Sequence, residues 1–283
     1  MRQTTPQHGF TLVEMVMVIV IMGVIGSIVS VFMKAPIDAY FDSARRAALT
    51  DVADTTVRRM ARDIRKALPN SVRQSISPAA ANTQCIEFIP TKTGRRYRAA
   101  VNGVGAGNIL DFTTPKGSFD MLGSNSVLPD QAIGVGDLIA VYNLGITGAD
   151  AYATDNTSPV IAPGVVAGSL ANETKINITP KQFPFASGGS RFHVIPSTEK
   201  IVSYVCSGGN LNRYANYPYT SSCTSTGATS VTVLASNVSY CSFIYNGSDL
   251  QRNALVQLTI KFTDSVSTET VSLYHEVHVD NTP

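Results

Sequence analysis

Gly9-Phe10-Thr11-Leu12-Val13-Glu14-Met15-Val16-Met17-Val18-Ile19-Val20-Ile21-Met22 opens an apolar run that continues to Met33 and carries one charge, Glu14. Phe10–Met33 built as a helix spans roughly 36 Å at about 1.5 Å per residue, enough for a bilayer core of about 30 Å. The only small or polar breaks after Glu14 are Gly23, Gly26, Ser27 and Ser30. A run apolar on every side for that length reads as a membrane span, since a core helix of a soluble protein keeps a polar face. Arg2, in the short segment ahead of the run, favours a cytoplasmic leader with the rest of the chain across the membrane.

An ordinary secretory signal is cut after its apolar segment, which is then lost. Here a glycine ends the short leader just before the run. A cut between Gly9 and Phe10 leaves the run on the mature chain. Glu14 would then be the fifth residue. A carboxylate inside a membrane span is costly and calls for a partner. A new N-terminal amine on Phe10 of a neighbouring copy, staggered against this helix, supplies one.

The string Gly9-Phe10-Thr11-Leu12-Val13-Glu14 and the apolar run behind it resemble the class III signal of type IV pilins and type II secretion pseudopilins. The resemblance implies a prepilin peptidase that cuts between Gly9 and Phe10, N-methylation of Phe10, and a role for Glu14 in assembly. The implied fold is α+β and pilin-like. A long N-terminal helix, transmembrane in its first half, packs on an antiparallel β-rich C-terminal domain. The resemblance covers about a tenth of the chain.

The composition suits an exported envelope protein. Charged residues are 15%, below the roughly 25% of average soluble domains. A net charge of +2 gives no reason to expect a nucleic-acid partner. Tryptophan is absent, and Tyr, Thr, Ser, Val and Asn are plentiful in the later chain, as strands and turns require.

Beyond the span, Ile37, Phe41, Ala44, Ala48, Val52, Thr56, Met60 and Ile64 recur at helical spacing. Arg58, Arg59, Arg62, Arg65 and Lys66 form a solvated cationic face that suits the helix C-terminus. Asp54 and Asp63 stand four residues from Arg58 and Arg59. Pro69 stops the helix, and Pro36 marks a kink just outside the membrane. The expected organisation is a leader at 1–9, a transmembrane and assembly helix at 10–33, its amphipathic continuation at 34–68, and a periplasmic β-rich domain at 82–283. Strands are expected at 86–89, 138–142, 175–178, 192–195, 200–206, 231–234, 240–245, 255–262 and 269–279. The stretch Gly145–Asn172 reads as a long loop or insertion.

Cys85, Cys206, Cys223 and Cys241 all follow the span. Four cysteines in an exported domain favour disulfides, in one of three connectivities. The loop Ser207–Ser222 needs a clasp, which favours Cys206–Cys223 and leaves Cys85–Cys241. Their spacing does not suit zinc, and no metal or cofactor is expected. His275 and His278 lie three apart on a strand, so they point to opposite faces and make no zinc-protease pair. Gly103, Gly105 and Gly107 precede no strand-to-helix turn. Asp150 and Asp155 offer only two acids for a cation. No catalytic constellation emerges, and an enzyme is not expected.

A second resemblance narrows the group. Met60-Ala61-Arg62-Asp63-Ile64-Arg65, Leu68-Pro69-Asn70-Ser71-Val72, Val202-Ser203-Tyr204-Val205-Cys206 and the segments 253–256 and 273–279 are similar to J-type minor pseudopilins. They are also similar to minor pilins of the mannose-sensitive haemagglutinin (MSHA) type IV pilus system. The resemblance implies a minor subunit that starts or assembles a pilus. Its partners would be the prepilin peptidase, I- and K-type minor pilins, the major pilin, the inner-membrane assembly platform and inner-membrane lipid. The alternatives are a pseudopilin serving type II secretion, and a β domain acting as a tip adhesin or DNA-binding module. Residues 91–184 lie outside these matches.

Overall fold

The computed structural model describes residues 9–74, 84–220, 223, 227–247, 253–265 and 269–283. Met1 to Gln7 and His8, most of the expected leader, fall outside that set. The chain divides into two compact units, Met1–Thr50 and Asp51–Pro283.

One helix, α1 (Leu12–Ile64), runs through the first unit and into the second. It starts and stops inside the expected limits of Phe10 and Leu68. Within the first unit its apolar side chains from Leu12 to Met33 are exposed all round, as a membrane-facing segment requires. Ser27 Oγ donates to Val24 O at 2.8 Å, so this hydroxyl is satisfied within the helix. Pro36 sits inside α1 without ending it.

The second unit begins with the last turns of α1. Ala53, Thr56, Val57, Met60, Ala61 and Ile64 are buried. They share the expected stripe at Thr56, Met60 and Ile64. Val52, expected inward, is 44% exposed. Arg58 pairs with Asp54 at 2.6 Å as the spacing suggests. Asp63 does not pair with Arg59. It accepts from Tyr204 Oη at 2.7 Å and from Arg213 Nε at 3.0 Å, because its side of the helix faces a sheet and Arg59 faces solvent. Helix α1 ends in tight turns, and Leu68 N then donates to Ile89 O, which passes the chain into β structure.

Fourteen strands follow: β1 (Arg73–Gln74), β2 (Cys85–Phe88), β3 (Thr93–Arg96), β4 (Lys116–Leu122), β5 (Leu138–Ala140), β6 (Thr157–Ala167), β7 (Glu173–Lys181), β8 (Arg191–Ile195), β9 (Val202–Ser207), β10 (Asn210–Ala215), β11 (Ser230–Ala235), β12 (Val238–Asn246), β13 (Asn253–Thr263) and β14 (Thr270–Asp280). Every expected strand is present. The architecture is one long helix followed by antiparallel sheets, the α+β, pilin-like arrangement.

A central sheet has the order β1-β2-β9-β10-β11, and a C-terminal meander has the order β12-β13-β14. In β13, Ala254, Val256, Leu258, Ile260 and Phe262 are buried while the residues between them are not, the alternation expected of a half-buried strand.

The remaining six strands form the order β3-β8-β5-β6-β7-β4. The two ends of that order meet: Tyr97 bridges Met121, and Arg98 N donates to Asp120 O at 2.8 Å. The sheet therefore closes on itself as a barrel, which removes its edges. Its interior is filled by Tyr97, Phe119, Met121, Ile139, Ile176 and Phe192, among others. Phe119 and Phe192 meet edge to face at 5.4 Å.

Strands β1, β3, β4, β6 and β10 were not expected from the sequence. Strand β6 occupies much of Gly145–Asn172. Pro159, Pro163 and Gly164 conceal it, and its pairing slips between Val160 and Val165. Barrel partners on both sides hold such a segment extended where propensity does not. Strand β10 reads as a polar loop, but the Gly208-Gly209 turn folds it back on β9.

Both disulfides exist, with pairings other than Cys206–Cys223 and Cys85–Cys241. Cys85 joins Cys223, and Cys206 joins Cys241. Register explains the exchange. Cys85 lies directly opposite Val205, so Cys85 and Cys206 project from opposite faces of the central sheet. Tyr217 Oη donates to Glu87 at 2.6 Å and Arg73 donates to Thr220 O at 2.6 Å. Those bonds draw the chain after β10 over the Cys85 face. Cys206 is left facing β12 and Cys241.

Candidate functional site at the start of the helix

Gly9 and Phe10 precede α1 and are not helical. Phe10 is 87% exposed, and nothing stands within 4 Å of the place a Cβ on Gly9 would occupy. Among the described residues nothing covers the backbone between them.

The helix then starts on a reciprocal cap. Glu14 N donates to Thr11 Oγ1 at 3.3 Å, and Thr11 N donates to Glu14 Oε2 at 3.0 Å. Thr11 Oγ1 also donates to Glu14 Oε2 at 3.0 Å. This is a capping box, with the threonine and the acid three residues later each satisfying the other's backbone donor. The acid also lies at the positive end of the helix dipole. Sequence reading singled out Glu14 and overlooked Thr11, although the Thr-x-x-Glu spacing is the signal for such a box.

The other candidates offer less. Gly103, Gly105 and Gly107 lie between β3 and β4, with no helix behind them. Asp150 Oδ1 accepts from Tyr152 N and Asp155 Oδ2 from Gly148 N, so both acids are engaged in shaping their own loop. His275 and His278 sit in β14 opposite Leu258 and Leu255, on opposite faces. Among the described residues no group of three or more His, Cys, Asp or Glu is placed to hold a metal ion.

A cleft of about 620 Å³ lies where the two chain segments that enter and leave the barrel run side by side. Its charges are largely matched to one another. Lys92 pairs with Asp137, and Arg213 pairs with Asp63 and, at 2.7 Å, with Glu199. Burial pulls the Arg213 pKa down, and Glu199, Tyr204 and Asp63 more than restore it. Burial and the Asp63 carboxylate push the Tyr204 hydroxyl well above its usual range. These groups hold the last turns of α1 on the sheet.

An exposed Gly9–Phe10 junction, a capped acid and an all-apolar helix together fit a type IV pilin-like leader. Residues 5–30 match the family described as the prokaryotic N-terminal methylation motif. No curated protein and no solved structure matches the chain. The leader and the long apolar helix point to membrane anchoring, and the motif implies handling by a prepilin peptidase and pilus components in general.

Proposed function

We propose that this chain is a minor pilin-like subunit that helps initiate or assemble an MSHA-type type IV pilus. The observation that carries the reading is the exposed Gly9–Phe10 junction immediately ahead of a capped Glu14 and an unpartnered apolar helix. The peptidase cuts after Gly9, and Phe10 becomes the methylated terminus. The β-rich part lies in the periplasm. The apolar helix leaves the lipid sideways and packs among similar helices, where burial of apolar surface drives association. Glu14 sets register by meeting the Phe10 amine of a neighbour. That pair contributes little net stability, because a buried ion pair barely offsets its desolvation. I- and K-type minor pilins, the major pilin and the inner-membrane platform are its partners in this reading.

The test is intact mass and N-terminal sequencing of the protein from purified membranes. A chain that begins at Phe10 with one added methyl supports the proposal. A chain that still begins at Met1 sinks it and leaves a signal-anchored domain.

A second reading is favoured by the barrel, a separately cored module inserted between β2 and β9. Such a module suits a tip adhesin. Loss of adhesion with piliation intact, on deletion of the barrel, would support it. A type II secretion pseudopilin uses the same helix physics, and a secretion defect without a pilus defect would favour it.

A further inference from the structure

The outer wall of the barrel carries an unusual arrangement where β3 meets β8. Arg96 lies directly opposite Arg191, and Gly94 directly opposite His193. Directly opposed residues share a face, so two guanidiniums, an imidazole and a gap lie side by side. Both arginines are exposed. Neither has a carboxylate partner among the described residues; Arg96 Nε donates only to Gly189 O at 3.0 Å. Like charges directly opposed across a ladder destabilise it unless something neutralises them.

Gly94 leaves space that any side chain would fill. A Cβ there would lie 3.4 Å from His193 Nδ1 and 3.6 Å from Cε1, so that edge of the ring borders the space. The result is a hollow of about 220 Å³ bordered by Gly94, Arg95, Arg96, Arg191, Phe192 and His193. His193 Nε2 is buried with no hydrogen-bond partner. Asp280 stands near enough to act electrostatically on the ring, from the side opposed to Arg191 in its effect.

We propose that this hollow binds an acidic polysaccharide, with Arg96 and Arg191 holding a carboxylate or sulfate group and His193 facing an adjacent sugar hydroxyl. The guanidinium fork matches oxyanions in bidentate geometry. An imidazole edge beside open space complements a hydroxyl. Single-stranded nucleic acid needs aromatic faces for its bases, and Phe192, the aromatic residue at the hollow, has its ring packed in the barrel core. Arg95, Arg96 and Arg191 at one point of the wall are too few to track duplex phosphates through counterion release. The proposal extends the binding-module reading and is independent of whether the chain joins a fibre.

The test uses the full-length protein in detergent, so that a failure of assembly does not affect the result. Retention is measured on immobilised polygalacturonate, dextran sulfate, neutral dextran and duplex DNA. The expected result is binding to one or both acidic glycans and none to neutral dextran. Arg96→Gln and Arg191→Gln should each weaken it roughly tenfold. Gly94→Leu should abolish it with both charges kept, and Lys175→Gln on β7 should leave it unchanged. Both arginine variants alter exposed side chains, so their fold is expected to survive and can be checked by circular dichroism. Absence of binding, or Gly94→Leu binding like the parent, would overturn the proposal. So would equal retention of DNA with the same arginine dependence, which would mark a general polyanion surface.

Discussion

Thr11 and Glu14 satisfy one another at the first turn of α1, each accepting a hydrogen bond from the other's backbone amide. In the uncut chain, Glu14 is thus occupied by its own helix. An amine on a cleaved neighbour must compete with that cap for the same carboxylate. The acid therefore has a local role before assembly and a proposed intermolecular role after it.

Substitution can separate the two roles. Glu14→Gln keeps an oxygen that accepts from Thr11 and removes the charge. It should be inserted and cleaved like the parent, yet fail to co-purify with an assembly complex. Thr11→Ala loses the cap, at a cost of about 1 kcal/mol to the first turn, and should assemble. If the glutamine variant assembles normally, the charge has no part in register.

Arg213 joins the end of α1 to the central sheet through Asp63 and to the barrel exit through Glu199. Arg213→Ala leaves two acids facing a vacated site and should destabilise the fold by about 3 kcal/mol. Asp63→Asn retains a group that accepts from Tyr204 and should cost less than half as much. Urea unfolding of the two variants checks the order.

Peptide mapping without reduction should recover Cys85 linked to Cys223 and Cys206 linked to Cys241. The first bridge closes a loop with a sequence separation of 138 and the second one of 35. On chain entropy alone the larger loop is worth about 5 kcal/mol and the smaller about 4. Loss of the first bridge should therefore lower the melting temperature more. A larger fall on loss of the second would show that native-state packing outweighs loop entropy here.

Burial, reinforced by Arg191 and opposed by Asp280, holds the His193 pKa below its usual value. The unfolded chain then binds a proton at higher pH than the folded one. Stability should be at its full value above about pH 6.5 and decline as pH falls below it, towards the folded pKa. His193→Gln should flatten that decline. A parent and variant with parallel stability profiles between pH 7 and 5 would show that other groups carry the acid sensitivity.

The N-terminal site was legible because its signals are local. Hydropathy, one glycine and one acid sit within a single stretch, and the same stretch held the Thr11 signal. The end of α1 was partly legible: Thr56, Met60 and Ile64 follow helical periodicity, while Asp63 depended on a sheet more than a hundred residues away. The disulfides required register, since the side a cysteine faces changes with each residue of a strand. The barrel was the least legible part. Strand β3, Thr-Gly-Arg-Arg, has no apolar alternation, and β6 carries two prolines. Their extended form comes from neighbours around a closed ring, which no window of sequence contains.

Strands β2 and β9 are antiparallel neighbours, with Phe88 directly opposite Val202. Everything from Ile89 to Ile201 leaves the sheet and returns to it across one strand spacing, about 4.8 Å. In topological terms the barrel is the turn of a hairpin. A two-residue turn could occupy the same place without moving either strand, and so could a different module with close-set ends. The 113 residues between the two strands can thus change in size and kind while the register of β2 on β9, and the helix packed on that sheet, stay as they are.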